Sequence, residues 1–225
     1  MTRKRTDISA TAALPQHESG PSMGRRTVLG AAIAAGASLA LPPRVFASAS
    51  PLTPAQRRIL DVAKTQIDRA GDVLWHRDMA GIADFGVHSS VPRFHFANVE
   101  AGTVRSFLVA HGTGSDPEHD GWLNNFSNTP GSNATSRGAY VTYEWYKGRY
   151  GTSIRLGGLD PDNSNALPRY IVAHPAEYAT RAHVEKWGRL GRSNGCFAMD
   201  PADFNEALWN LSGGRLLYAD RLGIS

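Results

Sequence analysis

The alternation of apolar and polar positions predicts one long helix near residue 50 and a series of strands after residue 80. Four apolar residues recur at helical spacing between Thr53 and Gly71, namely Ile59, Leu60, Ala63 and Ile67. A threonine followed by proline is typical of a helix start, and a glycine of a helix end. We therefore expect a helix over about residues 54–70 that packs by one face and takes no direct part in chemistry.

Strand patterns dominate the middle of the chain. Runs of β-branched and aromatic residues predict a hairpin and four further strands, at 93–99, 103–110, 139–146, 152–156, 170–173 and 215–219. His95 alternates with aromatic neighbours, so we assign it to a sheet face. The segment 113–137 is rich in Gly, Ser, Asn, Asp and Pro and lacks an apolar period, which predicts a long loop. Loops of this length are often functional.

A second helix is predicted after residue 200. Asp200 is a capping residue, Pro201 suits the first turn, and Phe204, Leu208 and Leu211 follow at helical spacing. Strands outnumber helices, and the two long helices lie near the two ends of the predicted domain. The pattern therefore predicts a β-rich α+β domain.

The first 49 residues have the pattern of an export signal of the twin-arginine type. Two arginines at 25–26 precede a short apolar run at 28–41, and an Ala-x-Ala site follows at 47–49. The run is too short to span a membrane. A retained anchor or helix is the alternative, which the prolines at 42–43 disfavour. We expect residues 1–49 to be removed and the protein to be periplasmic.

The charge balance argues against a nucleic-acid partner. The sequence has 24 Lys and Arg residues against 20 Asp and Glu residues. Six of the basic and two of the acidic residues lie in residues 1–49, so residues 50–225 carry 18 of each sign. Binding to nucleic acid needs a clustered basic surface. The neutral remainder suits one domain that does not bind nucleic acid.

Cys196 is the only cysteine, and it lies in the segment GRLGRSNGCFAM at 188–199. A lone cysteine is most often a small buried apolar residue. In an exported chain it cannot form an internal disulfide, so its thiol is free or paired with another molecule. Its neighbours favour a chemical role, because Arg189 and Arg192 would favour the thiolate and Gly195 suits a sharply turning backbone.

A nucleophilic cysteine needs a base, and His174 is the better of two candidates that precede it. His174 directly follows the predicted strand 170–173, where a side chain is held firmly. His183 lies on a polar helical or loop segment, where it is held less well. A histidine after a strand is also a common core residue, so this assignment alone does not establish a base.

The residues next to the cysteine suggest acyl transfer. A glycine beside the nucleophile frees backbone N–H groups around Asn194, Gly195 and Cys196 to converge on a tetrahedral oxyanion. Arg192 and Arg189 could hold a carboxylate near the scissile bond. Together these features predict a thiol acyl transferase.

Several motifs of the chain occur together in one known family. They are VAHG at 109–112, FSN at 126–128, Ser136 before an aromatic strand, SIRLGGL at 153–159, HPAEY at 174–178 and GRLGRSNGC at 188–196. With them the sequence resembles the L,D-transpeptidase catalytic domain, also called the YkuD-like fold, in a divergent branch with a GRSxGC motif. The resemblance covers about residues 80–220.

The resemblance implies a fold and a set of site residues. It implies a single domain with a mixed β-sheet at 80–225, a helix after the catalytic cysteine, and an N-terminal helix and linker at 50–79. It implies a catalytic role for Cys196 as nucleophile, His174 as general base and Gly195 in the oxyanion hole. The residues implied in substrate binding are Ser193, Asn194, Arg192 and Arg155. No cofactor or metal is expected.

The implied reaction crosslinks peptidoglycan stem peptides. The cysteine attacks an L,D peptide bond of a donor stem, and the acyl group passes to an amine of meso-diaminopimelate on an acceptor stem. Acylation by a carbapenem and a monomeric state are also expected.

The sequence departs from the wider family at three positions. That family usually has His directly before the Gly-Cys pair and Arg two residues after the cysteine, whereas this chain has Asn194 and Ala198. Pro175 follows His174 where glycine or serine is common, so the hydroxyl partner of His174 is unassigned. The divergent branch is associated with 1,3 crosslinks from L-alanine to diaminopimelate, so the resemblance favours 1,3 over 3,3 linkage.

Other functions remain open at this stage. Within the same chemistry, 3,3 crosslinking or transfer to water by an L,D-carboxypeptidase or endopeptidase are alternatives. A metal-dependent wall hydrolase would use the cluster His111, Asp116, His119 and Asp120. A non-catalytic wall-binding module would stack sugars on Trp122, Tyr143, Trp145 and Tyr146.

Overall fold

A computed structural model describes residues 51–224 of the chain, so the predicted export signal at 1–49 lies outside the described residues. The described part has an α+β fold, as the pattern predicts. The strands are β1 Met79–Asp84, β2 Phe94–Asn98, β3 Thr103–Phe107, β4 Gly138–Gly148, β5 Gly151–Gly158, β6 Val172–Pro175, β7 Phe197–Met199 and β8 Leu216–Asp220. The α-helices are α1 Pro54–Ala70, α2 Arg181–Trp187 and α3 Phe204–Leu211.

The eight strands form one mixed sheet in the order β3-β2-β1-β8-β4-β5-β6-β7. Two neighbouring pairs are parallel, β1 with β8 and β6 with β7, and the other pairs are antiparallel. The mixed sheet that the resemblance implies is therefore present. Within residues 51–224 no helix has the length and apolar character needed to cross a bilayer.

Helix α1 forms where the pattern predicts it and covers one face of the sheet. Thr53 and Gln56 cap each other's backbone N–H groups in a capping box, which satisfies two donors at the start of the helix. The four predicted apolar residues are all buried, in one cluster with side chains of β1, β2, β4 and β8. Where the domain begins along the sequence stays a prediction.

Helix α3 covers the opposite face, but it begins three residues later than predicted. Its N-cap is Asp203, and its buried side chains include Phe204 and Leu211. Residues 200–203 form a turn in which Asp200 accepts the backbone N–H of Ala202 through its side chain. The delay has a physical cause, because Met199 still belongs to β7 and the chain must turn before it can start a helix.

Two strand predictions need correction, and two strands of the structure, β1 and β7, were not predicted. The second strand of the predicted hairpin ends at Phe107, and the chain then leaves β2 so that Ala110 pairs with Ala198 instead. The strand predicted at 170–173 lies at 172–175, because Tyr170 takes a left-handed φ of 55° that no strand allows. β7, with three residues, is too short to give a periodic pattern.

The segment 113–137 is a long loop, as predicted, apart from one short 3₁₀ turn. Asn128 of the FSN motif fastens it to the turn after β5 through hydrogen bonds with Pro161, Ser164 and Asn165. The loop is therefore anchored to the turn after β5, and the carbonyl of its Ala134 packs against Gly195, the residue before Cys196.

Candidate active site

Cys196 lies at the end of a tight turn, residues 193–196, which we call the cysteine turn. Gly195 in this turn has φ 109°. A Cβ atom at this position would lie 2.7 Å from the carbonyl oxygen of Ala134 and 2.9 Å from Cδ1 of Ile171. The turn therefore requires glycine for its backbone angle and for space. Cys196 beside it is buried, with 7% of the residue exposed.

Ser193 holds the cysteine turn together. Its Oγ accepts the N–H of Gly195 at 3.1 Å and donates to the carbonyl oxygen of Cys196 at 2.7 Å. The N–H predicted for an oxyanion hole at Gly195 is thus bonded to Ser193. The structure places Ser193 at the cavity described below, with its hydroxyl bonded inside the turn.

The VAHG motif supports the same turn from behind. The N–H of Ser193 donates to the carbonyl oxygen of His111 at 2.9 Å, and the N–H of Thr113 donates to that of Ser193 at 2.8 Å. A Cβ on Gly112 would lie 2.7 Å from the Cα of Gly195. The two segments pack backbone against backbone, which explains the glycine in each motif.

A buried chain of side chains fixes the VAHG segment in turn. Arg93 is fully buried and donates from Nε to the carbonyl oxygen of Val109 at 3.0 Å, while its Nη2 lies 2.7 Å from Nδ1 of His111. Arginine can only donate, so Nδ1 of His111 accepts and its Nε2 carries the proton. That Nε2 lies 3.1 Å from Oδ2 of Asp116. Burial lowers the pKa of His111 to about 3, so this histidine is neutral.

His174 lies in β6, and only one of its two imidazole nitrogens, Nδ1, forms a hydrogen bond within residues 51–224. Nδ1 lies 3.0 Å from the carbonyl oxygen of Pro175. A carbonyl oxygen only accepts, so Nδ1 carries the proton and Nε2 is left as the basic nitrogen. The ring of Tyr150 stacks on the imidazole, with centroids 4.7 Å apart and an interplanar angle of 26°. Burial lowers the pKa of His174 below its usual 6.5.

Most of the predicted site residues meet in one cavity of about 160 Å³, with two exceptions. The cavity is lined by Tyr150, His174, Tyr178, Arg192, Ser193, Asn194 and Cys196. Parallel pairing explains the meeting, because His174 in β6 lies opposite Ala198 in β7, two residues after the cysteine. The exceptions are Gly195, which does not line the cavity, and Arg155. Sequence reasoning missed Tyr150, which belongs to no motif, and Tyr178, although it ends the HPAEY motif.

Arg155 lies in a second cavity of about 240 Å³. Its other lining residues are Tyr146, Leu167, Tyr170, Ile171 and Val172. The guanidinium lies 4.6 Å from the ring centroid of Tyr146, and its nearest carboxylate, on Glu144, is 3.9 Å away. The thiol of Cys196 contacts the carbonyl oxygen of Tyr170 at 3.7 Å. Residues 170–172 therefore separate this second cavity from the thiol.

The electrostatic surroundings of the thiol differ from the prediction. Burial raises the pKa of Cys196, while the N–H of Val172 and the charge of Arg169 act in the opposite direction. Neither Arg189 nor Arg192, which were predicted to favour the thiolate, is among the groups that shift the pKa of Cys196. Arg192 donates from Nη1 to the carbonyl oxygens of Asp116 and Pro117, and Nη1 of Arg189 donates to the carbonyl of Trp187. No motif in the sequence distinguishes Arg169.

The two histidines of the candidate metal cluster form hydrogen bonds within the protein. Both ring nitrogens of His111 are bonded, as described above, and Nε2 of His119 lies 3.1 Å from the carbonyl oxygen of Leu190. In the part of the chain that the structure describes, no three His, Cys, Asp or Glu residues are grouped so that they could hold a metal ion. These residues give the metal-hydrolase alternative no support.

The aromatic residues considered for sugar stacking do not form a free platform. Trp122 packs edge-on against His88, with ring centroids 5.2 Å apart. Tyr146 is covered by Arg155, and Tyr143 packs against the position of Gly157 and the α1 side of the core. Only Trp145 of the four stands exposed without a ring partner among the described residues. The arrangement does not support a wall-binding module.

A larger cavity, of about 320 Å³, lies at the C-terminal end of α1. Two of its charged residues pair with each other, since Arg69 donates to both carboxylate oxygens of Asp160. Asp160 in turn accepts the backbone N–H of Ala139. The cavity holds neither a nucleophile nor a base, so we do not assign the site to it.

The sequence matches the family model of the L,D-transpeptidase catalytic domain (YkuD_2) over residues 55–219. This match covers well over half of the chain. The protein therefore belongs to the L,D-transpeptidase catalytic domain family, and the predicted resemblance is confirmed. Comparison of the sequence with curated proteins found no match.

The fold is also similar to solved structures at low sequence identity. An L,D-transpeptidase from Mycobacterium smegmatis is 14% identical, with 64% of this chain and 58% of that chain covered and a TM-score of 0.39. L,D-transpeptidase LdtMt1, solved in complex with imipenem, is 13% identical, with 64% and 59% covered and a TM-score of 0.38. The helical cell shape determining protein Pgp2 from Campylobacter jejuni is 12% identical, with 70% and 55% covered and a TM-score of 0.40. The matched part thus spans less than two thirds of each of these chains.

The Ser193 hydroxyl gives a direct test of how the cysteine turn is held. We expect Ser193→Ala to lower the free energy of unfolding by about 1–3 kcal/mol, because it leaves the buried N–H of Gly195 without an acceptor. It should also slow alkylation of Cys196 by iodoacetamide, since the thiol is no longer held in place. Ser193→Thr keeps the hydroxyl and is the matched control. Denaturant unfolding and alkylation kinetics measure both effects, and equal behaviour of the two variants would contradict the clamp.

Proposed function

We propose that this protein is a peptidoglycan L,D-transpeptidase that works through an acyl-enzyme on Cys196. The observation that carries the proposal is the shared cavity of Cys196 and His174, with Nδ1 of the imidazole fixed by the carbonyl of Pro175 and Nε2 left as base. Membership of the family supplies the reaction class. Peptidoglycan as substrate and the twin-arginine type of signal agree with a periplasmic protein.

The first half of the reaction forms a thioester. Nε2 of His174 takes the proton from the Cys196 thiol, and the thiolate attacks the carbonyl carbon of an L,D peptide bond in the donor stem. The tetrahedral oxyanion accepts hydrogen bonds from backbone N–H groups of the cysteine turn. The C–N bond then breaks, and the leaving amine takes the proton from the His174 imidazolium. Donor acyl and enzyme are joined as a thioester.

The oxyanion hole in this proposal differs from the prediction. The N–H of Gly195 is bonded to Ser193. Within residues 51–224 the N–H groups of Asn194 and Cys196 donate no hydrogen bond, which leaves them for an oxyanion. Asn194 is exposed at the cavity, so its side chain can also reach a bound stem.

The second half of the reaction needs an acceptor next to the thioester. An amine of meso-diaminopimelate gives its proton to His174 and attacks the thioester carbonyl, and the C–S bond breaks to restore the thiol. We assign the second cavity to the carboxylate of this acceptor, whose amine must then reach the thioester past residues 170–172, the segment that separates the cavity from the thiol. Arg155 would bind a carboxylate of the acceptor. Arg192 would bind a carboxylate of the donor, because within residues 51–224 only its Nη1 forms hydrogen bonds and its other donors are left for a ligand.

We favour 1,3 crosslinks as the product. This rests on the GRSxGC branch and on two positions where the chain leaves the wider family. Ala198 is fully buried and paired with Ala110, so no cation stands two residues after the cysteine. Asn194 replaces the usual histidine at the cavity, so the donor meets a different surface there.

The products formed from purified muropeptides test the proposed function. With donor and acceptor muropeptides we expect mass spectrometry to find dimers linked from L-alanine to diaminopimelate, and none with Cys196→Ala. Dimers linked between two diaminopimelates would overturn the 1,3 assignment. Shortened monomers without dimers would identify a carboxypeptidase or endopeptidase instead.

In the same assay, Arg155→Gln tests whether Arg155 binds the acceptor stem and not the donor stem. Loss of an acceptor carboxylate contact should lower the ratio of dimers to hydrolysed monomers by about tenfold, because a charged hydrogen bond is worth about 1.5–3 kcal/mol. Consumption of donor should stay near the wild-type rate. Lys147→Gln, which removes an exposed lysine near the end of β4, is the matched control. An unchanged product ratio would remove Arg155 from the acceptor site.

The pH dependence of acylation tests His174 as the base. Burial holds the pKa of His174 below its usual 6.5, so the neutral imidazole persists below pH 6.5 and acylation by a carbapenem should decline only at lower pH. Tyr150→Ala exposes the imidazole and should raise its pKa, so the acid decline moves to higher pH. Tyr150→Phe keeps the stacked ring and should retain the wild-type profile. Coincident profiles of Tyr150→Ala and wild type would argue against this base.

A further inference from the structure

Arg169 joins the long loop to the neighbourhood of the cysteine. Its Nη1 donates to the carbonyl oxygen of Ser127 at 2.7 Å and to Oγ of Ser136 at 3.2 Å. Its Nη2 donates to the carbonyl oxygen of Ala134 and to Oγ of Ser132. One half-buried guanidinium thus holds four positions of the segment 127–136. Arginine suits this task because its donors are arranged in a rigid planar fork.

The same guanidinium lies beside the cysteine turn. Nη2 is 3.2 Å from the position that a Cβ of Gly195 would occupy, and Gly195 directly precedes the nucleophile. The backbone of residue 169 also precedes Tyr170, whose carbonyl oxygen contacts the thiol. Arg169 therefore lies beside Gly195, the residue before Cys196, and directly precedes the residue whose carbonyl contacts the thiol.

The charge of Arg169 is not neutralised by a carboxylate. All four of its acceptors are carbonyl or hydroxyl oxygens. No Asp or Glu among residues 51–224 forms an ion pair with it. A cation with neutral partners in a half-buried place keeps its attraction for a nearby anion. The anion that the proposed reaction creates there is the thiolate of Cys196.

We propose that Arg169 is a positioning residue that supplies the positive charge for the Cys196 thiolate and fastens the segment 127–136 against the cysteine turn. The proposal rests on the proposed function in that Cys196 is the nucleophile.

The two parts of this role can be separated by substitution. Arg169→Lys keeps the positive charge but loses the planar set of donors. Arg169→Gln removes the charge and keeps a polar side chain of moderate length. The charge therefore differs between the two variants, while both lose most of the hydrogen bonds to the loop.

The experiment measures the rate of Cys196 alkylation by iodoacetamide as a function of pH, which needs no peptidoglycan. In Arg169→Gln we expect the rise in rate to move to higher pH, with a rate near neutral pH about tenfold below wild type, because an adjacent opposite charge commonly shifts a pKa by one unit or more. Arg169→Lys should keep the wild-type midpoint. Arg181→Gln removes an exposed cation of α2 and is the control for net charge.

Three outcomes would overturn the proposal. They are an unchanged midpoint in Arg169→Gln, an equal shift in Arg169→Lys and Arg169→Gln, and an equal shift in Arg181→Gln. Circular dichroism and thermal unfolding report whether each variant is folded. If Arg169→Gln does not fold, Arg169→Lys still decides, since a shifted midpoint in a variant that keeps the charge contradicts the role. Failure of the proposed function would show differently, as normal alkylation without crosslinked products.

Discussion

The parallel pairing of β6 with β7 is the constraint on which the candidate site depends. It sets His174 opposite Ala198 and so brings the histidine to the cavity of Cys196, although 21 residues separate the two in the sequence. β7 has only three residues and lies at the edge of the sheet. So short an edge strand cannot hold the cysteine turn by itself, and other segments must fix it.

The VAHG segment provides that support. It leaves the hairpin after Phe107, pairs with Ala198 and Ser193 on the free side of β7, and is itself held by Arg93, His111 and Asp116. His111 is neutral and hydrogen-bonded through both ring nitrogens, whereas Nε2 of His174 has no hydrogen-bond partner within residues 51–224. The partners of the two Nδ1 atoms account for this difference. Nδ1 of His111 accepts a hydrogen bond from Arg93, whereas Nδ1 of His174 donates one to the carbonyl oxygen of Pro175.

Much of this arrangement could be predicted from the sequence, and the failures have identifiable causes. Apolar spacing predicted helix α1, and composition predicted the long loop. The resemblance predicted one site for a set of residues of which five line one cavity in the structure, namely Cys196, His174, Ser193, Asn194 and Arg192. Periodicity could not show β7, because three residues give no period, nor the left-handed Tyr170 that shifts β6. Arg155 was grouped with the nucleophile by motif, yet strand β5 places it across residues 170–172. Arg169 belongs to no motif, so only its contacts reveal it.

The central claim is that Cys196 is the nucleophile and His174 its base. Intact-protein mass spectrometry after incubation with a carbapenem tests it most directly. The account predicts one covalent adduct on the wild-type chain, none on Cys196→Ala, and adduct formation slowed by about 10²-fold or more in His174→Ala, the usual effect of losing a general base. An adduct on Cys196→Ala, or a wild-type rate in His174→Ala, would contradict it.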